Sequence, residues 1–312
     1  MKRLLLILVS MLLLVGCSLV DEVINELYPT SSEPPAASVS PDSVAETAVP
    51  TAHALEVTGE LTVYIIDVGQ GDSILLQSPN GKTMLVDAGT SDSYESISTL
   101  ISELGIQRLD VVVATHPHAD HIGCMDKIIE NYEIGAFYMT DFVSTSKTYE
   151  RMITALENAD MPVYQTTSNT VISWDDSVNI KVLSPIDGQS YDDSNNSSIV
   201  MKVSFGSSSI LLTGDAESDT ESRMREFWTS SDLQATVLKL GHHGSSTSTS
   251  SGFLTAVNPA IAVCSLGADN SYGHPHDETL ALLSERGIPL YRTDELGTIK
   301  IILDGSVASV LE

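Results

Sequence analysis

The sequence predicts an α+β fold in which two β-sheets pack face to face and carry helices on their outer surfaces. Early in the chain, short apolar strands follow one another through hairpin signals; later, strands alternate with helical segments. That succession packs as layered sheets with helices outside. In addition, seven of the eight histidines fall in three short clusters, each directly after an apolar strand or leading into a helix.

Taken in order, Leu61 to Asp67 reads as a strand ending in the Gly-rich turn Val68-Gly69-Gln70-Gly71-Asp72. Ser73 to Gln77 and Lys82 to Val86 flank Pro79-Asn80-Gly81, a hairpin signal. Tyr94 to Leu104 is helical and stopped by Gly105, and Leu109 to Ala114 is a nearly continuous apolar strand of the kind buried on both faces. Further helices are expected at Ile122 to Asn131, Lys147 to Ala159, Glu217 to Trp228 and Glu278 to Arg286. Further strands are expected at Asn179 to Leu183, Ser198 to Phe205, Ser209 to Thr213, Thr236 to Lys239, Ala260 to Cys264 and Thr298 to Leu303. No internal repeat is visible.

The 312 residues, 42% hydrophobic and 18% charged, are enough for one large domain or two modest ones with a real core. Wholesale disorder, a collagen-like repeat and a disulfide-dense scaffold are excluded. Aromatics at 5% leave few residues for a stacking platform along single-stranded nucleic acid. With 15 basic and 42 acidic side chains, the net charge of −27 opposes wide contact with a phosphate backbone, which needs Lys and Arg. A phosphate ester bound at a localised metal site remains compatible, because cations supply their own positive charge.

The amino terminus reads as an address. Lys2 and Arg3 precede an apolar run, Leu4 to Val15, that is too short to span a bilayer and has the form of a secretory signal. Leu14-Val15-Gly16-Cys17 resembles a bacterial lipobox. The resemblance implies removal of residues 1–16 and lipid attachment at Cys17, on the outer side of a bacterial membrane; the alternative is an ordinary signal peptide with an incidental Cys. Residues 29–55 hold five prolines, many Ser, Thr and Ala and no Lys or Arg, so residues 17–57 read as a tether. The expected globular domain covers residues 58–312. Cys124 and Cys264 give no pairing from sequence.

The first histidine cluster is Thr115-His116-Pro117-His118-Ala119-Asp120-His121, straight after a buried strand. Three imidazoles and a carboxylate on one loop can converge on a cation, and that donor set suits Zn²⁺, Mn²⁺ or Fe. The others are His242-His243 and His274 with His276. His274 precedes a helix expected to begin near Asp277, where anions are favoured; His276 reads as a surface residue.

The pattern His-x-His-x-Asp-His resembles the hallmark of the metallo-β-lactamase superfamily, over roughly residues 60–305. Within it the chain is most similar to the hydrolase domain of the ComEC/Rec2 competence proteins. The shared stretches are Asp67 to Ser73, Asn195 to Ser198, Leu212 to Asp215, Gly241 to Ser245, Tyr272 to Pro275, and Tyr291 to Asp294 with Gly297. The resemblance implies a four-layer αββα sandwich and two divalent metal ions, Zn or Mn. It implies that His116 and His118 bind one ion, Asp120 and His121 the second, and that Asp215 bridges them. One of His242 and His243 would complete the second site, and the choice between them stays open. Asp67, Asp72, Asp87 and Asn196 are expected to support these ligands from behind. One departure stands out: no His lies between His121 and Asp215, where most of the superfamily places another ligand. A weaker first site follows, completed by water, an Asn side chain or substrate.

The expected function is a metal-dependent phosphodiesterase, nuclease-like, using a metal-activated water. Asp120 would orient that water or accept its proton, and His274 would contact a phosphate or protonate the leaving oxygen. Expected partners are a phosphodiester, DNA among them, and a membrane through the lipid anchor; no protein partner is inferred. Hydrolysis of a lactone or phosphorylcholine ester, and a non-catalytic surface binding protein with a relic metal site, are the competing readings.

Overall fold

The computed structural model describes residues 58–311. The expected signal peptide, the tether, Cys17 and His53 lie outside the described residues. In chain order the strands are β1 (Leu61–Ile65), β2 (Ile74–Gln77), β3 (Thr83–Val86), β4 (Arg108–Ala114), β5 (Glu133–Met139), β6 (Val163–Gln165), β7 (Asn179–Ser184), β8 (Val200–Phe205), β9 (Ser208–Leu212), β10 (Val237–Lys239), β11 (Ile261–Cys264), β12 (Leu290–Arg292), β13 (Ile299–Leu303) and β14 (Ala308–Leu311). The helices are α1 (Tyr94–Glu103), α2 (Met125–Asn131), α3 (Lys147–Ala159), α4 (Ser218–Phe227), α5 (Ser230–Leu233), α6 (Ser251–Val257), α7 (Asp277–Glu285) and α8 (Thr293–Leu296).

They form an eight-stranded sheet, β14-β13-β1-β2-β3-β4-β5-β6, and a six-stranded sheet, β12-β11-β10-β9-β8-β7. Each is antiparallel at one end and parallel at the other: β3, β4, β5 and β6 run parallel in the first, and β9, β10, β11 and β12 in the second. Alternation along the strands builds three cores from two sheets. Val111 and Val113 of β4 and Ile210 and Leu212 of β9 meet in the core between the sheets. Their neighbours face outward: Val112 packs with Ile97, Ile128 and Met152 of α1, α2 and α3, and Leu211 packs with Met224, Phe253 and Leu283 of α4, α6 and α7. Three apolar layers between helices, sheet, sheet and helices make the α+β sandwich that the sequence predicts. Each fully buried Leu or Ile contributes about 1.5–3 kcal/mol.

Most expected elements lie within a few residues of their predicted bounds, and α3 has the same bounds, with the Ser146 hydroxyl accepting from the Tyr149 N–H at its start. The helix expected from Ile122 starts later, at Met125. The backbone before it is engaged in a loop: the N–H groups of His121 and Ile122 donate to His118 O, and that of Gly123 to Gly89 O. The strands β5, β6, β12 and β14 and the helices α5, α6 and α8 add to those expected. Among the described residues, no helix is long and apolar enough to cross a membrane.

Candidate metal centre

The loops leaving β3, β4, β9, β10 and β11 carry Asp87, Thr115 to His121, Asp215, His242 with His243, and Ser265. Ligand sites in sheets of this kind gather beyond the carboxyl ends of parallel strands, and here both sheets contribute. The first Gly-rich turn presses against the histidine loop. The Asp72 N–H donates to Asp120 O at 3.1 Å, and a Cβ at Gly71, whose φ is +154°, would lie 2.3 Å from that oxygen. Only glycine fits there.

Three groups of side chains result, the ligand atoms of each within 4.8 Å of one another: Asp72, Asp87 and His121 behind the cavity, and two that share Asp215, namely Asp120, His121, Asp215 and His243, and His116, His118 and Asp215. Asp215 belongs to both and divides its oxygens between them. Oδ1 lies 3.1 Å from His121 Nε2 and 3.7 Å from His243 Nε2, while Oδ2 lies 3.7 Å from His116 Nε2. His116 Nε2 and His118 Nδ1 are 3.1 Å apart. His243 Nε2 is 3.3 Å from Asp120 Oδ2. The two residues between which the sequence leaves the choice open are thus separated by geometry. His243 is buried in the group of four. His242 stands outside both groups, its Nε2 3.9 Å from Asp215 Oδ2 and its Nδ1 3.1 Å from Glu217 Oε1.

The far side of each ring is fixed. His121 Nδ1 donates to Asp87 Oδ2 at 2.7 Å, and the same carboxylate accepts from the Thr115 N–H and hydroxyl. His243 Nδ1 donates to Ser265 O at 2.9 Å. Such bonds settle which nitrogen faces a cation. His242 and His243 sit in the left-handed region, with φ of 48° and 54°, a backbone strain typical of functional turns.

Asp72 carries this bracing one step further. It is buried, 3.4 Å from His243 Nδ1 through Oδ1, and its Oδ2 is 2.8 Å from the fully buried Lys239 ammonium. Lys239 is not among the residues expected at the site, although a lysine inside the apolar triplet Val237-Leu238-Lys239 is a signal in its own right. Glu217, which holds His242, and Ser194, whose hydroxyl is 2.6 Å from His118 Nε2, are likewise outside the expected set; neither follows a recognisable spacing. Of the remaining expected residues, Asp67 is exposed and its carboxylate accepts from Gly69 N–H, within its own turn. Asn196 engages the start of α4, accepting from Glu217 and Thr220 and donating to Asp193. Both side chains act on the scaffold and make no hydrogen bond to the candidate ligands.

The donor set fits divalent cations. His121 Nε2, His243 Nε2 and Asp215 Oδ1 are buried, face one another and have no hydrogen-bond partner. Buried polar atoms are rarely left that way unless an ion or water completes them. Electrostatics agree. Burial alone would depress the His243 imidazole, but Asp215, Asp120 and Asp72 raise it to about 10, and Asp215 and Asp87 likewise raise His121 well above the usual histidine range. The carboxylates therefore favour a positive charge at this point. The His116 imidazole, buried and facing His121, is pushed well below the usual range. His274, buried and facing His243 and His242, falls to about 4, so its ring is neutral at pH 7 and offers one N–H and one lone pair. These groups open on a cavity of about 290 Å³ lined by His118, Asp120, Asp215, His243, His274 and Tyr272, among others.

Comparison with known proteins decides the lineage. A model of the metallo-beta-lactamase superfamily matches residues 66–268. The chain belongs to the metallo-β-lactamase superfamily. It is 31% identical over 262 residues to ComE operon protein 3 of Bacillus subtilis, covering 78% of this chain and 33% of that protein. It is 32% identical over 243 residues to Competence protein ComA of Neisseria gonorrhoeae, covering 77% of this chain and 32% of that one. The chain thus spans about a third of the length of these curated relatives. Among solved structures it is similar to CmlA, a diiron beta-hydroxylase from Streptomyces venezuelae, with a TM-score of 0.50, 12% identity, 81% of this chain and 54% of that one. At that identity the likeness concerns the fold.

Proposed function

We propose that the protein is a divalent-metal-dependent phosphodiester hydrolase. The observation that carries the reading is the Asp215 carboxylate, whose two oxygens serve two adjacent ligand groups at the mouth of an open cavity. The resemblance to competence-protein hydrolase domains supports a phosphodiester substrate. Two divalent ions, Zn or Mn, would be held by His116, His118 and Asp215 on one side and by Asp120, His121, His243 and Asp215 on the other. When bound, such ions acidify water and polarise a phosphoryl oxygen.

The chain's own residues supply the rest. Asp87 and Ser265 hold His121 and His243 with Nε2 toward the centre. Asp120, about one-third exposed at the cavity, is the carboxylate placed to orient an attacking water and accept its proton. Burial would raise its pKa, but the bond with His243 and the nearby His121 keep it below the usual carboxylate range, so it is ionised and suited to orienting the water by accepting a hydrogen bond, while the low pKa makes it a weak base. His274 lines the same cavity and presents a neutral imidazole that can donate to a phosphate or leaving oxygen. Neither this cavity nor the one beside it is lined by Lys or Arg among the described residues. The grip on substrate is therefore local, and DNA would be held at the scissile phosphate, not along its length. We further propose that Cys17 anchors the protein by lipid on the outer face of a bacterial membrane.

The test is hydrolysis of bis-p-nitrophenyl phosphate and DNA by Zn- or Mn-loaded protein, run beside a lactone, a phosphorylcholine ester and nitrocefin. The reading expects phosphodiester turnover abolished by chelator and restored by metal. Turnover of another ester class alone would replace it.

A further inference from the structure

Tyr272 is a large aromatic residue left 64% exposed in the loop after β11, and it stands between two cavities. One is the metal-side cavity. The other, about 370 Å³, continues past Asp120 and is lined by Thr90, Ser91 and Thr148 on its far side. Tyr272, Gln70, Ala119 and Asp120 line both, so the two cavities adjoin at these residues. The Tyr272 ring is held in place: it stacks on the His274 ring at 5.6 Å and 23°. Its loop is fixed by Asn270, which donates to Gly267 O and His274 O and accepts from the His274 N–H, and His276 Nε2 reaches Tyr272 O at 3.2 Å. Gln70 is oriented too. Its carboxamide oxygen accepts from the Gly267 N–H at 3.3 Å, so the end it offers a ligand is the NH₂ donor.

From this geometry we propose a nucleobase subsite beside the metal centre, in which Tyr272 stacks the base and the Gln70 NH₂ donates to a base carbonyl. It rests on the phosphodiester reading and names the group carried next to the scissile phosphate: a nucleoside. The chemistry favours a base over a quaternary ammonium group. One aromatic face makes no cage around a cation, whereas a fixed amide donor and three hydroxyl side chains match the polar edge of a planar ring. With no Lys or Arg lining either cavity among the described residues, neither offers a cationic track for the backbone of a longer strand. Stacking of a base on an aromatic side chain is worth about 1–3 kcal/mol.

The experiment measures equilibrium binding of thymidine 5′-monophosphate, inorganic phosphate and phosphorylcholine to the Mn-loaded full chain, and to its Tyr272→Ala and Tyr272→Phe variants. The subsite predicts that the unaltered chain binds the nucleotide at least about tenfold more tightly than phosphate. Tyr272→Ala brings that ratio close to one, and Tyr272→Phe preserves it. Equal affinities in the unaltered chain, a ratio that Tyr272→Ala leaves intact, or tighter binding of phosphorylcholine than of the nucleotide would overturn the proposal. Hydrolysis separates this from the reading beneath it. A chain that shows the ratio but cleaves no phosphodiester keeps the subsite and loses the hydrolase assignment; one that cleaves bis-p-nitrophenyl phosphate without showing the ratio does the reverse.

Discussion

The Lys239 ammonium lies 2.8 Å from Asp72 Oδ2, and both side chains are shut away from solvent behind His243. Burial alone would raise the Asp72 pKa, but Lys239 and His243 hold it at about 2. A buried pair of this kind is costly to break from one side, because the surviving charge is left uncompensated. Lys239→Met is therefore expected to destabilise the fold by about 3–5 kcal/mol in urea unfolding. The double variant Lys239→Met/Asp72→Asn should recover much of that loss. A single variant as stable as the parent chain would contradict the pairing. The sign of the pH effect follows. A carboxylate with a depressed folded pKa contributes stability that is complete above its unfolded value of about 3.9 and is lost as pH falls toward about 2.

Asp87 lies outside the two ligand groups that share Asp215, yet it fixes His121 through a 2.7 Å bond and ties it to Thr115. Replacement by Ala frees the imidazole to rotate. Metal affinity should fall by about 10- to 100-fold while the far-UV circular dichroism spectrum is retained. Unchanged affinity in a metal-competition titration would show that the orientation of His121 does not depend on this bond.

Metal binding must displace protons. In the metal-free chain, His243 titrates near pH 10 and His121 is also raised, because surrounding carboxylates outweigh their burial. Cations compete for those nitrogens, so affinity rises with pH throughout the range below about 10. Between pH 6 and 8 the dissociation constant should drop about tenfold or more per unit, with proton release seen in calorimetry across buffers of different ionisation enthalpy. A flat profile would place the ion elsewhere.

Cys124 and Cys264 are free and buried, and burial pushes each thiol up to about 12. Neither forms the reactive thiolate near neutral pH. Iodoacetamide at pH 8 should leave both unlabelled in the folded chain and modify both in denaturant, read by mass spectrometry of tryptic peptides. Rapid labelling of either in the native state would contradict the packing.

Much of this architecture was legible in the sequence because one physical signal dominated locally. The apolar run of β4 leads straight into the cluster from His116 to His121, and α3 combines an apolar stripe with a Ser146 cap. The strand β5 was hidden because Gly135 interrupts its apolar run and a single residue separates it from α2. β6 is exposed along its length and carries no burial pattern to read. At the site, the residue types could be named but not their division of labour. His242 and His243 are adjacent and both left-handed, and only the path of the turn sends one to the buried group and the other to Glu217. The two faces of Asp215 and the Lys239 brace depend on contacts between sheets, which periodicity along one strand does not record.

Elemental analysis of the purified chain, with phosphodiesterase activity measured on that same sample, bears most directly on whether these side chains form a catalytic metal centre. We expect two divalent ions per chain, phosphodiester turnover that disappears with chelation and returns with Zn²⁺ or Mn²⁺, and loss of both metal and activity in Asp215→Ala. A chain that stays metal-free after dialysis against either ion, or one whose phosphodiesterase activity is the same with and without metal, would contradict it.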